Sequence, residues 1–137
     1  MNGICEEIIR RRTCGHVRCG TSGEAASVTD VARAFGLSTD PSCYHEIGGS
    51  TARAIAVHVL NRDLAYHTEV MPTDDAIELV SLFFELCCGP SGRFFSNGDF
   101  SQKPAASWMP ATEATFDTGV LIVGSARSGC LWVEDED

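Results

Sequence analysis

The sequence has no catalytic signature, a single lysine (Lys103) and no long apolar run. Each absence excludes something. Crossing a bilayer as a helix takes roughly 18 consecutive apolar residues, and no stretch comes near that. The opening Met1-Asn2-Gly3-Ile4-Cys5-Glu6-Glu7 lacks a basic segment followed by an apolar one. No secretory signal is expected, and the cytoplasm is the default compartment. Neither a strained nucleophile elbow nor a glycine-rich phosphate loop occurs. Positive charge is also scarce, with a formal net charge of −9, so the phosphate-neutralising surface on which nucleic-acid affinity rests is missing.

What is present suits one folded domain spanning residues 1–137. Apolar residues make up 44% of the chain, enough for a core, and charged residues 21%, too few for a disordered acidic tail. The charge is lopsided. From Asp63 to Asp137 thirteen acids face only Arg93, Lys103 and Arg127, a balance of −10. The first twenty residues carry +2, from Arg10, Arg11, Arg12 and Arg18 against Glu6 and Glu7. A one-signed surface attracts partners of the other sign.

Local patterning predicts an α+β fold: two or three helices packed on a mainly antiparallel sheet formed largely by the C-terminal half. Residues 4–12 read as a short helix with Ile4, Ile8 and Ile9 as its stripe, and 14–26, rich in Gly, Ser and Thr, as a loop. Val28, Val31, Ala32 and Phe35 share a helical face that Ser27 can cap. Ile55, Val57 and Val59 alternate with Ala54, Ala56 and His58, the period of a strand. The helix over 74–88 is the clearest, with Ala76, Ile77, Val80, Phe83, Phe84 and Cys87 on an apolar face and Glu78, Ser81 and Glu85 on the solvent side. Residues 93–96 form a short strand ending at Asn97-Gly98, and 115–123 with 130–134 form a hairpin. Val120-Leu121-Ile122-Val123, apolar on both faces, marks a central strand covered on each side.

The candidate chemistry is sparse. Seven cysteines, an odd and irregularly spaced set, read as free thiols in a reducing compartment. Cys14, His16, Cys19 and Cys5 lack the two clean ligand pairs of a structural zinc site, so neither metal nor other cofactor is expected. Cys43 and His45 sit too close in sequence to converge as nucleophile and base, and Cys130 would need a histidine from elsewhere. The stretch from Ser27 to Ser38 resembles the first helix and turn of a helix-turn-helix motif. Asp40-Pro41 and Gly48-Gly49 then break the segment where a recognition helix should lie.

Arg62-Asp63-Leu64-Ala65-Tyr66, Thr115-Phe116-Asp117-Thr118-Gly119-Val120 and the closing Cys130-Leu131-Trp132-Val133-Glu134-Asp135-Glu136-Asp137 belong to a small acidic domain without a catalytic constellation. In that overall character the chain resembles bacterial immunity proteins, the antitoxins that neutralise polymorphic toxins of contact-dependent growth inhibition or type VI systems. The resemblance implies a non-enzymatic inhibitor of a cognate basic toxin, a nuclease in the commonest case. Its acidic face would draw on Asp63, Asp99, Asp117, Glu134 and Asp135, with Tyr66, Trp132 or Trp108 as aromatic anchors. Two other readings stand beside it. One is a small hydrolase whose residues meet only in three dimensions; the other is a homo-oligomeric structural module, a homodimer in the simplest case.

Overall fold

Two adjacent strands near the C-terminus organise the molecule, described here from a computed structural model that defines residues 3–23, 25–87, 92–98, 109–124 and 127–136. The chain runs α1 (Gly3–Arg11), β1 (His16–Ser22), α2 (Val28–Ala34), a 3-10 turn (Pro41–Cys43), β2 (His45–Ile47), α3 (Gly49–Asn61), α4 (Thr73–Cys87), β3 (Arg93–Ser96), β4 (Phe116–Val123) and β5 (Ser128–Asp135). The five strands form one antiparallel sheet in the order β1-β5-β4-β3-β2. The α+β class expected from the sequence is therefore the one adopted. No helix among the described residues is long and apolar enough to cross a membrane.

β4 and β5 lie at the centre because both of their faces are apolar. Val120, Ile122, Leu131 and Val133 point into a core roofed by α1, α3 and α4. Leu121, Val123, Cys130 and Trp132 point into a second core with Val31 and Ala32 of α2, Leu37, Tyr44 and Ala111. The alternation of side chains along a strand distributes one apolar run between two cores. In the larger core Phe84 of α4 stacks on Phe94 of β3 with ring centroids 5.2 Å apart, and the Arg53 guanidinium lies 5.1 Å from the Phe84 ring centre.

Two local expectations fail for the same kind of reason. Residues 49–61 form α3, where alternation predicted a strand. Ala52, Ile55, Ala56, Val59 and Leu60 are all buried, a helical spacing of 3, 1, 3 and 1, whereas Val57, which the strand reading also needs inside, is only half-buried. The three alanines at 52, 54 and 56 favour helix as well. Residues 16–22 form β1, where composition predicted a loop, because they pair with β5 along their whole length. Tertiary pairing outweighs the poor strand propensity of glycine and serine. Gly20 is there for packing: a Cβ at that position would lie 2.9 Å from the Phe35 ring.

Candidate partner-binding surface

The carboxylates expected to make an acidic face are mostly committed inside the fold. Asp135, on the α1 side of β5, is buried against Arg12 in a two-pronged pair, Nη1–Oδ1 3.0 Å and Nη2–Oδ2 2.8 Å. The same guanidinium donates to the carbonyls of Val59 (2.6 Å), Cys14 (2.7 Å) and Arg62 (3.1 Å). Asp135 Oδ2 also accepts from the Leu64 amide at 2.7 Å. Gly15, at φ +73°, lets the chain pass this pair; a Cβ there would sit 2.7 Å from Arg12 Nη1 and closer still to Asp135. Arg12 thus ties α1, α3 and β5 together, a role invisible in its basic triplet.

Asp117, on the opposite face, has no accessible surface and no cationic partner among the described residues. Its Oδ1 accepts from Asn97 Nδ2 (3.1 Å), the Ala111 amide (2.9 Å) and Trp132 Nε1 (3.1 Å). Its Oδ2 accepts from the Thr112 amide (3.2 Å) and hydroxyl (3.0 Å). Neutral donors replace water around the charge, as buried polar groups require. Trp132 is itself fully buried, edge-on to Tyr44 at 6.0 Å and 79°.

These placements correct the expected contact face. Trp132, Asp117 and Asp135 are interior groups, so none can meet a partner without unfolding its surroundings. Asp63 is 8% exposed and caps the turn that follows α3, accepting from the amides of Tyr66 (2.9 Å) and Thr68 (2.7 Å). Glu134 is part-buried and paired with Arg18 at 2.8 Å. Of the aromatic anchors, Tyr66 does stand in solvent, 68% exposed. Asp99 and Trp108 lie outside the described residues. The described carboxylates among them, Asp63, Asp117, Glu134 and Asp135, therefore do not gather into one patch: Asp117 and Asp135 lie on opposite faces of the sheet.

The thiols follow a similar pattern. Cys43 is buried with its Sγ directed at the carbonyls of Met109 and Pro110, each at 3.6 Å, while His45 points to solvent on β2. Burial pushes the Cys43 thiol up, and the nearby Asp117 adds to that; no thiolate is favoured there. Cys5 and Cys19 touch in the larger core, whereas Cys14 and His16 are exposed. Among the described residues no three His, Cys, Asp or Glu side chains come together as metal ligands.

A cleft of about 630 Å³ opens on the α2 side, lined by Arg18, Leu37, Ser38, Thr112, Glu113 and Glu134 among others. Among the described residues its only basic side chain is Arg18, already bound to Glu134 and to the Phe35 carbonyl at 3.1 Å. Among the described residues no histidine or cysteine lines it, so these side chains supply no nucleophile–base pair of the kind a thiol hydrolase uses.

Exposed acid does concentrate at α4. Asp74, Glu78 and Glu85 project from its outer side, and none of them is in an ion pair among the described residues. Asp75, beside them, is taken by Arg11 at 3.7 Å. Between the free acids lie two large apolar side chains left in water, Ile77 (48% exposed) and Leu82 (39%). Positions 74, 77, 78, 82 and 85 share one side of a helix, so acid and apolar surface form a continuous strip. Sequence periodicity had placed Glu78, Ser81 and Glu85 on the solvent side, yet counted Ile77 with the core. Its exposure is the signal that was missed.

The chain matches no protein-family model, no curated protein and no solved structure.

Proposed function

We propose that the protein is a binding inhibitor of the immunity type, and that it seats a basic protein on the outer side of α4. The observation that carries this reading is the strip itself: three carboxylates without an ion-pair partner among the described residues flank the exposed Ile77 and Leu82. Charge of one sign steers an oppositely charged partner and sets its orientation, while desolvated apolar side chains supply the holding energy. A nuclease toxin, basic because its substrate is polyanionic, has the required complement. Tyr66 lies outside the argument, since nothing links it to the strip.

The test is binding of the basic protein encoded beside this gene, where an immunity gene's toxin is found, measured by calorimetry at two salt concentrations. The expected result is an affinity that falls as salt rises and drops at least about tenfold in the Glu78→Lys, Glu85→Lys double variant. Both residues are exposed, so the variant's helical signal and melting temperature should match the parent's. Equal binding by the double variant, or no binding by the parent, would sink the reading.

A further inference from the structure

α1 and β1 follow one another in the chain and pack directly together. The helix turns Cys5 and Ile8 toward the sheet, and Cys5 is only 3% exposed. On the strand, Val17 and Cys19 stand opposite Val133 and Leu131 of β5. Cross-strand partners share a face of the sheet, and Val133 and Leu131 belong to the core under α1. Cys19 therefore points toward the helix. The levels match as well. From Arg11 back to Cys5 the helix rises about 9 Å, and from His16 to Cys19 the strand advances about 10 Å. The two thiols stand at the same height above the turn, and they are hydrogen-bonded to each other.

Among the described thiols only Cys5 is placed in this way toward Cys19. Cys14 is exposed, in the turn before β1. Cys43 and Cys130 belong to the core on the other face of the sheet. Cys87 lies over Gly129, which pairs with Thr21 further along β1. The two members of the pair also differ. Cys19 donates to Cys5, which holds the Cys5 thiol below its ordinary value and the Cys19 thiol above it. Cys5 is thus the readier nucleophile. Cys19 is only half-buried and sits on an edge strand, so the pair is open on that side to solutes the size of water.

We propose that Cys5 and Cys19 form an oxidation site, a facing thiol pair that hydrogen peroxide converts to a disulfide. The Cys5 thiolate attacks one peroxide oxygen and the O–O bond breaks. Cys5 becomes a sulfenic acid, and the other oxygen leaves as hydroxide and takes up the proton that Cys5 gave up. The Cys19 sulfur then attacks the Cys5 sulfur, the S–O bond breaks, and the hydroxyl leaves with the Cys19 proton as a second water. Two thiols lose two electrons and two protons, and one peroxide is reduced to two waters. The new bond closes a loop of about fifteen residues and ties the N-terminal end of α1 to the sheet. Arg12 already fixes the other end through Asp135.

The test treats the folded full chain with a small excess of hydrogen peroxide, then blocks the remaining thiols with iodoacetamide in denaturant and maps the unreduced peptides by mass spectrometry. The expected product joins the Cys5 and Cys19 peptides within one chain and reverts with dithiothreitol. It should melt at least about 5 °C above the reduced protein. Cys19→Ser should halt at the sulfenic acid, with dimedone labelling Cys5. Cys5→Ser should leave Cys19 reduced under the same treatment, and Cys14→Ser should form the bond as the parent does. Complete alkylation of both Cys5 and Cys19 after peroxide overturns the proposal. So does a bond from either of them to any other cysteine.

Discussion

Asp135 and Asp117 are both withdrawn from water, one on each face of the same sheet, and the fold accommodates them in opposite ways. Asp135 is met by a guanidinium from 123 residues away and by the Leu64 amide. Among the described residues Asp117 is met only by neutral donors, from Asn97, Ala111, Thr112 and Trp132, all within 20 residues. The first arrangement is a long-range cross-brace whose two charges are safe only together. The second is a local cradle that tolerates a lone charge because five hydrogen bonds converge on it. Neither carboxylate keeps an open side for an external partner, and for that reason the acidic character of the described surface comes from other side chains, those of α4 together with exposed acids such as Glu69 and Glu113.

The sharpest way to break the comparison is to remove one half of the cross-brace. Arg12→Met leaves the Asp135 carboxylate buried without its counter-charge and is expected to cost about 3–5 kcal/mol of unfolding free energy, read from urea denaturation. Arg12→Met with Asp135→Leu removes both charges and should recover part of that loss. Recovery stays partial because the carbonyls of Val59, Cys14 and Arg62 also lose their donor. A single variant costing less than about 1 kcal/mol would show that Arg12 is replaceable by water, and the contrast between brace and cradle would lapse.

Asp117→Asn tests the cradle. However the amide sits, one of its ends presents N–H groups to donors that had been bonding to oxygen; with that end toward Thr112 the hydroxyl can turn and accept, but the Thr112 amide loses its acceptor. The expected cost is about 2–3 kcal/mol, below that of Arg12→Met. Because Trp132 Nε1 donates to Asp117, indole fluorescence should shift along with the melting point. An unchanged melting point would mean that the five hydrogen bonds contribute little.

How far the sequence reveals these features depends on the range of the interactions. The helices α1, α2 and α4 and the β4–β5 pair are local patterns, and each is legible within a couple of residues. α3 was misread because β-branched residues at 55, 57 and 59 mimic a strand; the better fit of 52, 55, 56, 59 and 60 to a helix emerges only once it is known which side chains are covered. β1 is legible only through its partner, since nothing in a Gly/Ser/Thr-rich segment announces pairing with a strand more than a hundred residues later. The site suffers most. Charge count locates acids in the C-terminal half correctly, but burial decides which of them are surface, and burial of Asp117 and Asp135 is set by donors that the count ignores. The α4 acids were visible as a helical face, and their importance lay hidden until Ile77 and Leu82 proved to be exposed between them.

The smallest effect comes from Cys14, which adjoins the cross-brace and can report on it without disrupting it. Cys14 is exposed, and its carbonyl accepts from Arg12. Its thiol is nevertheless held above the ordinary range, first by partial desolvation and then by the charges of Asp135 and Asp63, with Arg12 acting the other way. The thiolate is the species that alkylates, so iodoacetamide should modify Cys14 more slowly at neutral pH than it does a free cysteine, and the rate should climb as pH rises past the usual thiol value. Asp135→Asn removes one of the raising charges and leaves Arg12 as the nearby cation, so it should speed modification at fixed pH. Asp117→Asn, on the other side of the sheet, should leave the rate alone. Mass spectrometry of the modified peptide distinguishes the two, and equal acceleration by both variants would point to general loosening of the fold in place of an electrostatic effect confined to the brace.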